Sequence, residues 1–75
     1  MNELLEIIRG LIPDVEITET TDLLESKLLD SITTVELTAL LEEEFDIEFT
    51  PVDVVPANFQ TPEAIFALVE RKMEE

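Results

Sequence analysis

The sequence predicts a small all-α protein, a four-helix bundle with three longer helices and one short helix. Its 75 residues are enough for one domain, which we expect to cover residues 1–75. Apolar residues make up 45% of the chain, a larger share than disordered acidic chains have. Glycine occurs once and proline four times, and apolar residues recur at helical spacing in three segments.

Residues 2–12 are predicted to form the first helix. A helix advances by about 100° per residue, so the apolar residues of this segment lie on one side of it. Asn2 is the predicted N-cap, and Pro13 is predicted to end the helix. The apolar side consists of Leu4, Leu5, Ile7, Ile8, Leu11 and Ile12.

Residues 13–30 show no clear period and are predicted to be a long connection. Connections of this length are unusual in compact domains and are often functional. We expect a short helical turn to start near Thr21 and Asp22, and we interpret Ser26 as a loop residue. The leucines expected to hold the connection against the core are Leu23, Leu24, Leu28 and Leu29.

Residues 31–45 are predicted to form the second helix. Asp30 or Ser31 is its cap, because both side chains can accept from the unpaired N–H groups of a first helical turn. Leu37, Leu41 and Phe45 form the predicted core face.

Apolar residues also lie on the opposite side of this helix, at Ile32, Val35 and Ala39. A helix packed on one side does not need a second apolar face. The pattern favours a docking surface with an apolar centre and an acidic rim, although scattered exposed apolar residues are also normal. The acidic residues that flank this face are Glu36, Glu42 and Glu43.

The rest of the chain predicts a loop and two further helices. Apolar residues alternate over 45–49, which we assign to an extended loop because a lone strand would not be stable. A short helix is predicted within 54–59, with Pro56 in its first turn. Thr61 and Pro62 open the last helix as N-cap and first residue. Its predicted apolar side consists of Ile65, Phe66, Leu68, Val69 and Met73.

The charge of the chain restricts its partners. Nineteen acidic and four basic residues give a net charge of −15. This charge excludes nucleic-acid binding by phosphate neutralisation and argues against anionic membrane surfaces. It predicts a protein partner with a basic surface.

The start of the chain is acidic, where a signal peptide would be positively charged, and no apolar run is long enough to span a membrane. We expect a cytoplasmic protein and a monomer.

The absence of cysteine and histidine narrows the chemistry. It excludes disulfides and thiolate metal sites, and it removes the usual general base. The carboxylates could supply an acid and a base, but so short a chain leaves little room for a substrate pocket. A calcium loop of the EF-hand type needs glycine at its sixth position, and the only glycine, Gly10, lies in the first predicted helix. We expect neither an enzyme nor a metal site.

The segment Leu28-Leu29-Asp30-Ser31-Ile32 leads into the second helix. It resembles the carrier-protein family, which includes acyl carrier proteins and the related aminoacyl and peptidyl carriers. The hallmark of that family is Asp-Ser followed by an aliphatic residue. The similarity continues through Val35-Glu36-Leu37 and Leu41-Glu42-Glu43-Glu44-Phe45 and includes the final helix after Thr61. It covers essentially the whole chain, and it implies an acyl-carrier-protein-like four-helix bundle.

The resemblance implies that a separate phosphopantetheinyl transferase moves 4′-phosphopantetheine from coenzyme A to Ser31. The thiol of that arm then carries an acyl or aminoacyl group as a thioester, which a chain without cysteine cannot form unaided. Free N–H groups at the helix start favour a phosphodiester there. The other implied partners are a loading enzyme and downstream enzymes of fatty-acid, polyketide or related biosynthesis. The implied recognition residues are Asp30, Ile32, Val35, Glu36, Ala39, Glu42 and Glu43.

Two departures leave the cargo open. Many fatty-acid carriers have glycine three residues before the serine and an acid two residues after it, where this chain has Leu28 and Thr33. The Leu-Leu-Asp-Ser stretch looks somewhat like stand-alone D-alanyl carriers. An aminoacyl or peptidyl carrier is therefore an alternative to an acyl carrier. A further alternative is an unmodified acidic docking module, in which Ser31 is only a helix cap.

Overall fold

The computed structural model describes residues 2–13, 15–25 and 29–74. Across these residues all regular secondary structure is helical, which confirms the all-α prediction. The predicted short helix is a single 3-10 turn. In this part of the chain no helix is long and apolar enough to cross a membrane. The elements are α1 (Asn2–Leu11), α2 (Ser31–Phe45), the 3-10 turn (Pro56–Asn58) and α3 (Pro62–Glu74).

Every buried side chain among the described residues is apolar, and each of the three α-helices contributes to the core. Burying one aliphatic or aromatic side chain contributes roughly 1.5–3 kcal/mol, so a small domain depends on each of them. Ile17, Leu23 and Leu29 come from the connection between α1 and α2, which therefore stabilises the fold as a helix would. The other buried apolar residues among those described are Leu4, Leu5, Ile8, Leu37, Leu41, Phe59, Pro62, Ile65, Leu68 and Val69.

Helix α1 follows the prediction apart from its cap and its end, which comes one residue before the predicted Ile12. Its buried residues lie on the predicted apolar side, and Ile7, Leu11 and Ile12 pack against the core while partly buried. Asn2 already lies inside the helix, so its predicted role as N-cap is wrong. The helix ends at Leu11, close to the proline at position 13, which cannot supply a backbone N–H.

The connection between α1 and α2 is fixed to its neighbours by hydrogen bonds. Arg9 donates from Nε and Nη2 to the carbonyl of Ile17, at 3.1 and 2.8 Å. The carboxylate of Asp22 accepts from the backbone N–H groups of Leu24 and Glu25, at 3.1 and 2.7 Å. These bonds lower the pKa of Asp22, that from Glu25 most strongly, and they form the turn predicted near this residue.

The same connection is bonded to the start of α3. The N–H of Leu23 donates to the carbonyl of Gln60 at 2.7 Å, and the N–H of Glu63 donates to the carbonyl of Glu19 at 3.0 Å. Because Glu63 lies in the first turn of α3, Glu19 satisfies an N–H that has no partner within the helix. The predicted burial of Leu23 and Leu29 is confirmed, and Leu24 is half-buried. The predictions for Ser26 and Leu28 lie outside the described residues.

Helix α3 begins as predicted, because the hydroxyl of Thr61 accepts from the N–H of Ala64 at 3.1 Å. Ile65, Leu68 and Val69 are buried. Met73 was expected on the same side but is 58% exposed. It lies in the last turn, beyond the buried residues of α3, where it lines an open groove with Phe45 and Phe66.

Candidate functional site

The candidate site lies at the start of α2, and Asp30 defines that start. Its carboxylate accepts from the N–H of Thr33 at 2.7 Å, and its carbonyl accepts from the N–H of Thr34 at 2.9 Å. Of the two residues predicted as caps, Asp30 is the N-cap and Ser31 is the first residue of the helix. The side chain of Ser31 is therefore not needed to start the helix.

The carboxylate of Asp30 is a fixed negative charge beside Ser31. The hydrogen bond from the backbone N–H of Thr33 lowers the pKa of Asp30, so this side chain is ionised at neutral pH. The sequence analysis expected the first-turn N–H groups to be free for a phosphodiester. At Thr33 this expectation is wrong, because Asp30 already uses that group.

The hydroxyl of Ser31 is accessible and unengaged. Ser31 is exposed, and within the described ranges its hydroxyl makes no hydrogen bond. The chain has no histidine, and Asp30, whose carboxylate is bonded to Thr33, caps the helix. Among the described residues no side chain is hydrogen-bonded to this hydroxyl in a position to take its proton.

Ser31 lines an apolar cleft with a volume of about 530 Å³, which we call the Ser31 cleft. One wall is the first part of α2, and the other includes residues 54–56. Asp30, Ser31 and Thr34 supply its polar atoms. The sequence analysis missed this cleft, because its two walls are far apart in the chain. The apolar lining residues are Leu24, Leu29, Val35, Val54, Val55, Pro56 and Phe59.

A network around Asp53 holds the wall opposite α2. The carboxylate of Asp53 accepts from the N–H and the hydroxyl of Thr50, at 2.9 and 3.0 Å, and pairs with Lys72 on α3 at 2.9 Å. The side-chain amide of Asn58 donates to the Asp53 carbonyl at 2.9 Å. The bond from the Thr50 N–H, followed by that from Lys72, lowers the pKa of Asp53 to about 2. The wall is thus attached to α3.

One of the lining residues, Phe59, packs against a second phenylalanine. Phe59 lines the cleft and is 2% exposed. Its ring meets that of Phe49 edge-on, with centroids 6.3 Å apart and an angle of 68° between the planes. The N–H of Phe49 donates to the carboxylate of Glu42 at 2.8 Å. Glu42, a predicted recognition residue, therefore also fixes the loop after α2.

The other predicted recognition residues lie on the exposed side of α2. Ile32 is 72% exposed and Val35 is 66% exposed, while Leu37 and Leu41 on the opposite side are fully buried. Ala39, Glu36 and Glu43 are also exposed. Val35 belongs both to this face and to the cleft. Leu40, which the sequence analysis did not single out, is 41% exposed. Because Leu40 lies away from the predicted core face on the helix, the sequence could have indicated its exposure.

The acidic residues do not gather into a metal site in the described part of the chain. No group of three or more histidine, cysteine, aspartate or glutamate residues there could hold a metal ion. Among the described residues the candidate site consists of the Ser31 hydroxyl, the adjacent Asp30 carboxylate and the apolar cleft.

One of two comparisons with known proteins finds a match. A family model described as a phosphopantetheine attachment site matches residues 2–69, which is nearly the whole chain. A search of the curated proteins finds no match.

Proposed function

Since the chain belongs to the family of proteins with a phosphopantetheine attachment site, we propose that Ser31 is the attachment residue and that the protein is an acyl carrier. The observation that carries this proposal is the exposed, unengaged hydroxyl of Ser31 at the edge of an apolar cleft. Asp30 caps the helix, which leaves the serine side chain available for modification.

The cofactor of this family is 4′-phosphopantetheine, attached covalently. The group supplies the thiol that carries cargo as a thioester, which this chain, having no cysteine, cannot supply. The residues around Ser31 fit the group, because the hydroxyl is exposed and the adjoining cleft is open to solvent. The phosphate would stand beside the Asp30 carboxylate, so a basic side chain of a partner enzyme is the natural counter-charge at this site.

The lining of the cleft supports acyl cargo. Leu29, Val55 and Phe59 offer apolar surface to a hydrocarbon chain, and burial of that chain is favourable. A D-alanyl or other aminoacyl group offers little hydrocarbon to these residues and would gain less from the apolar part of the cleft, although Asp30 could pair with its ammonium group. The aminoacyl and peptidyl alternatives are therefore second to an acyl carrier of fatty-acid, polyketide or related biosynthesis. The 3-10 turn, which precedes α3 in the chain, would correspond to the short helix of the four-helix bundle in such carriers.

Partner enzymes are proposed to bind the exposed face of α2. Ile32, Val35 and Ala39 form its apolar centre, and Asp30, Glu36 and Glu43 supply negative charge around it. A phosphopantetheinyl transferase, a loading enzyme and downstream enzymes would each present a basic patch to this face. Carrier domains of this family are typically not catalytic, and we propose the same for this chain, acting as a cytoplasmic monomer.

The experiment that tests the attachment site is intact mass measurement after incubation with coenzyme A and a broad-specificity phosphopantetheinyl transferase. The wild type should gain one phosphopantetheinyl group, and Ser31→Ala should gain none. Ser26→Ala is the matched control, because Ser26 is the only other serine. If Ser31→Ala still gained the group, the site would be wrong. If the folded wild type gained nothing, an unmodified acidic docking module would be favoured.

The docking face is tested by Glu36→Lys. The expected result is slower association with the transferase at low salt, because the substitution reverses a charge beside the apolar centre. Glu70→Lys makes the same change of charge on the exposed surface of α3 and is the control. Equal association rates for the two variants would count against a docking face on α2.

A further inference from the structure

We propose that Phe59 closes the inner end of the Ser31 cleft and thereby limits the length of the acyl chain that the protein can shelter. This inference depends on the proposed function, since it needs an acyl group carried from Ser31. It assigns a specificity-determining role to Phe59. The substrate class that follows is acyl chains no longer than the cleft is deep.

The burial of the lining residues locates the inner end. Val54 and Val55 are 39% and 38% exposed, so they lie towards the open side of the cleft. Leu29 and Phe59 are the buried lining residues, at 7% and 2%. Leu29 is two residues from Ser31 and therefore lies near the attachment point. Phe59 is the largest lining side chain and comes from the opposite wall, where a chain entering from Ser31 would meet it.

A backbone hydrogen bond and a ring contact hold Phe59 in place. Its backbone N–H donates to the carbonyl of Pro56 at 3.1 Å and closes the 3-10 turn. Its ring packs edge-on against Phe49, which does not line the cleft, and the N–H of Phe49 donates to the carboxylate of Glu42. Aromatic pairs in this geometry are attractive, so moving Phe59 aside breaks a favourable contact. These contacts oppose displacement of Phe59 from the cleft.

The wall beside Phe59 is equally restrained. Asp53 bonds to Thr50 and pairs with Lys72, and the side chain of Asn58 bonds to the Asp53 carbonyl. These contacts attach the start of residues 53–58 to Thr50 and to α3, and they link the two ends of the segment to each other. A shift of this segment would break the contacts of Asp53, so the size of the side chain at position 59 is the simpler determinant of the depth of the cleft.

The test uses the full chain carrying the phosphopantetheine arm, loaded with a series of saturated acyl groups from acetyl to palmitoyl. The readouts are the rate of thioester cleavage by hydroxylamine and the melting temperature of each loaded form. Only thioesters whose chain has left the cleft react fast, so each sheltered methylene should slow cleavage by up to about four-fold. In the wild type the rate should fall with chain length and then level off where the chain meets Phe59.

Two substitutions should move this limit in opposite directions. Phe59→Leu should shift the levelling-off to longer chains, and Phe59→Trp should shift it to shorter ones. The control is Phe66→Leu, which removes the same volume from the open groove beside Met73 and should leave the limit unchanged. If Phe59→Leu proves too unstable to load, the shift in Phe59→Trp still decides the question.

The outcomes separate this inference from the proposed function. A wild type that accepts no phosphopantetheine at Ser31 would overturn the carrier function itself. A loaded wild type with the same limit in both Phe59 variants would overturn only the role of Phe59. Cleavage rates that do not depend on chain length would also overturn it, while leaving the attachment at Ser31 intact.

Discussion

Replacing Arg9 with alanine tests what holds the α1–α2 connection in place. Two N–H groups of one guanidinium donate to the carbonyl of Ile17, at 2.8 and 3.1 Å. The side chain of Ile17 is fully buried, so this contact fixes the connection where it enters the core. In Arg9→Ala the partly buried carbonyl loses its charged donors.

The size of the effect follows from the type of bond. Hydrogen bonds to charged groups contribute about 1.5–3 kcal/mol, and partial exposure places this one at about 1.5–2 kcal/mol. In a domain of this size each kcal/mol changes the melting temperature by about 4–8 °C, so Arg9→Ala should lower it by about 6–16 °C. The measurement is thermal unfolding followed by circular dichroism.

The control variant is Arg71→Ala. It removes the same charge, but the Arg71 guanidinium makes only an exposed contact of 3.5 Å to Asn58. We expect a much smaller change in melting temperature. If the two variants melted at the same temperature, or if added salt abolished the difference between them, the loss would reflect net charge. The hydrogen bonds to Ile17 would then not be the reason.

Three further predictions concern stability. Gly10→Ala should raise the free energy of unfolding by about 0.5–1 kcal/mol, because Gly10 is an exposed helical residue and an added Cβ would meet nothing within 4 Å. The measurement is chemical denaturation, and an unchanged free energy of unfolding would contradict this reasoning. Asp53 has a folded pKa of about 2 against an ordinary value of 3.8, so its charged form stabilises the fold above about pH 4, and this contribution is lost as the pH falls towards 2. The melting temperatures of the wild type and Asp53→Asn should therefore differ at neutral pH and converge near pH 2, whereas a constant gap would contradict this assignment. The net charge of −15 repels itself, so modest salt or divalent cations should raise the melting temperature, and a temperature insensitive to ionic strength would refute this.

The sequence predicted the helices well where local chemistry defines their ends. Helix α2 has the predicted bounds because Asp30 caps its first turn and Asp46 leaves the helical conformation after it. Asp46 has a φ of 52°, in the left-handed region that aspartate tolerates better than most residues do. Thr61 and Pro62 likewise defined the start of α3 by their own preferences.

The sequence could not decide features that depend on contacts between distant segments. Both Asp30 and Ser31 are good cap residues, and only the folded backbone shows that Asp30 takes this role. The Ser31 cleft joins residues 24 and 59, which no local pattern relates. Glu42 was assigned to the docking face by its helical angle, but the loop after α2 brings the N–H of Phe49 to its carboxylate.

The hydrogen bonds between the α1–α2 connection and the start of α3 restrict where residues can be inserted into the chain. A long segment without regular structure looks like a place where insertions are harmless. Here Glu19 and Leu23 each supply a backbone partner to residues 60–63, so extra residues between them would pull one contact out of register. Gln60 directly follows Phe59, and a shift there would also reshape the cleft. We therefore expect engineered insertions and labels within residues 19–23 to disturb the end of the molecule that carries Ser31.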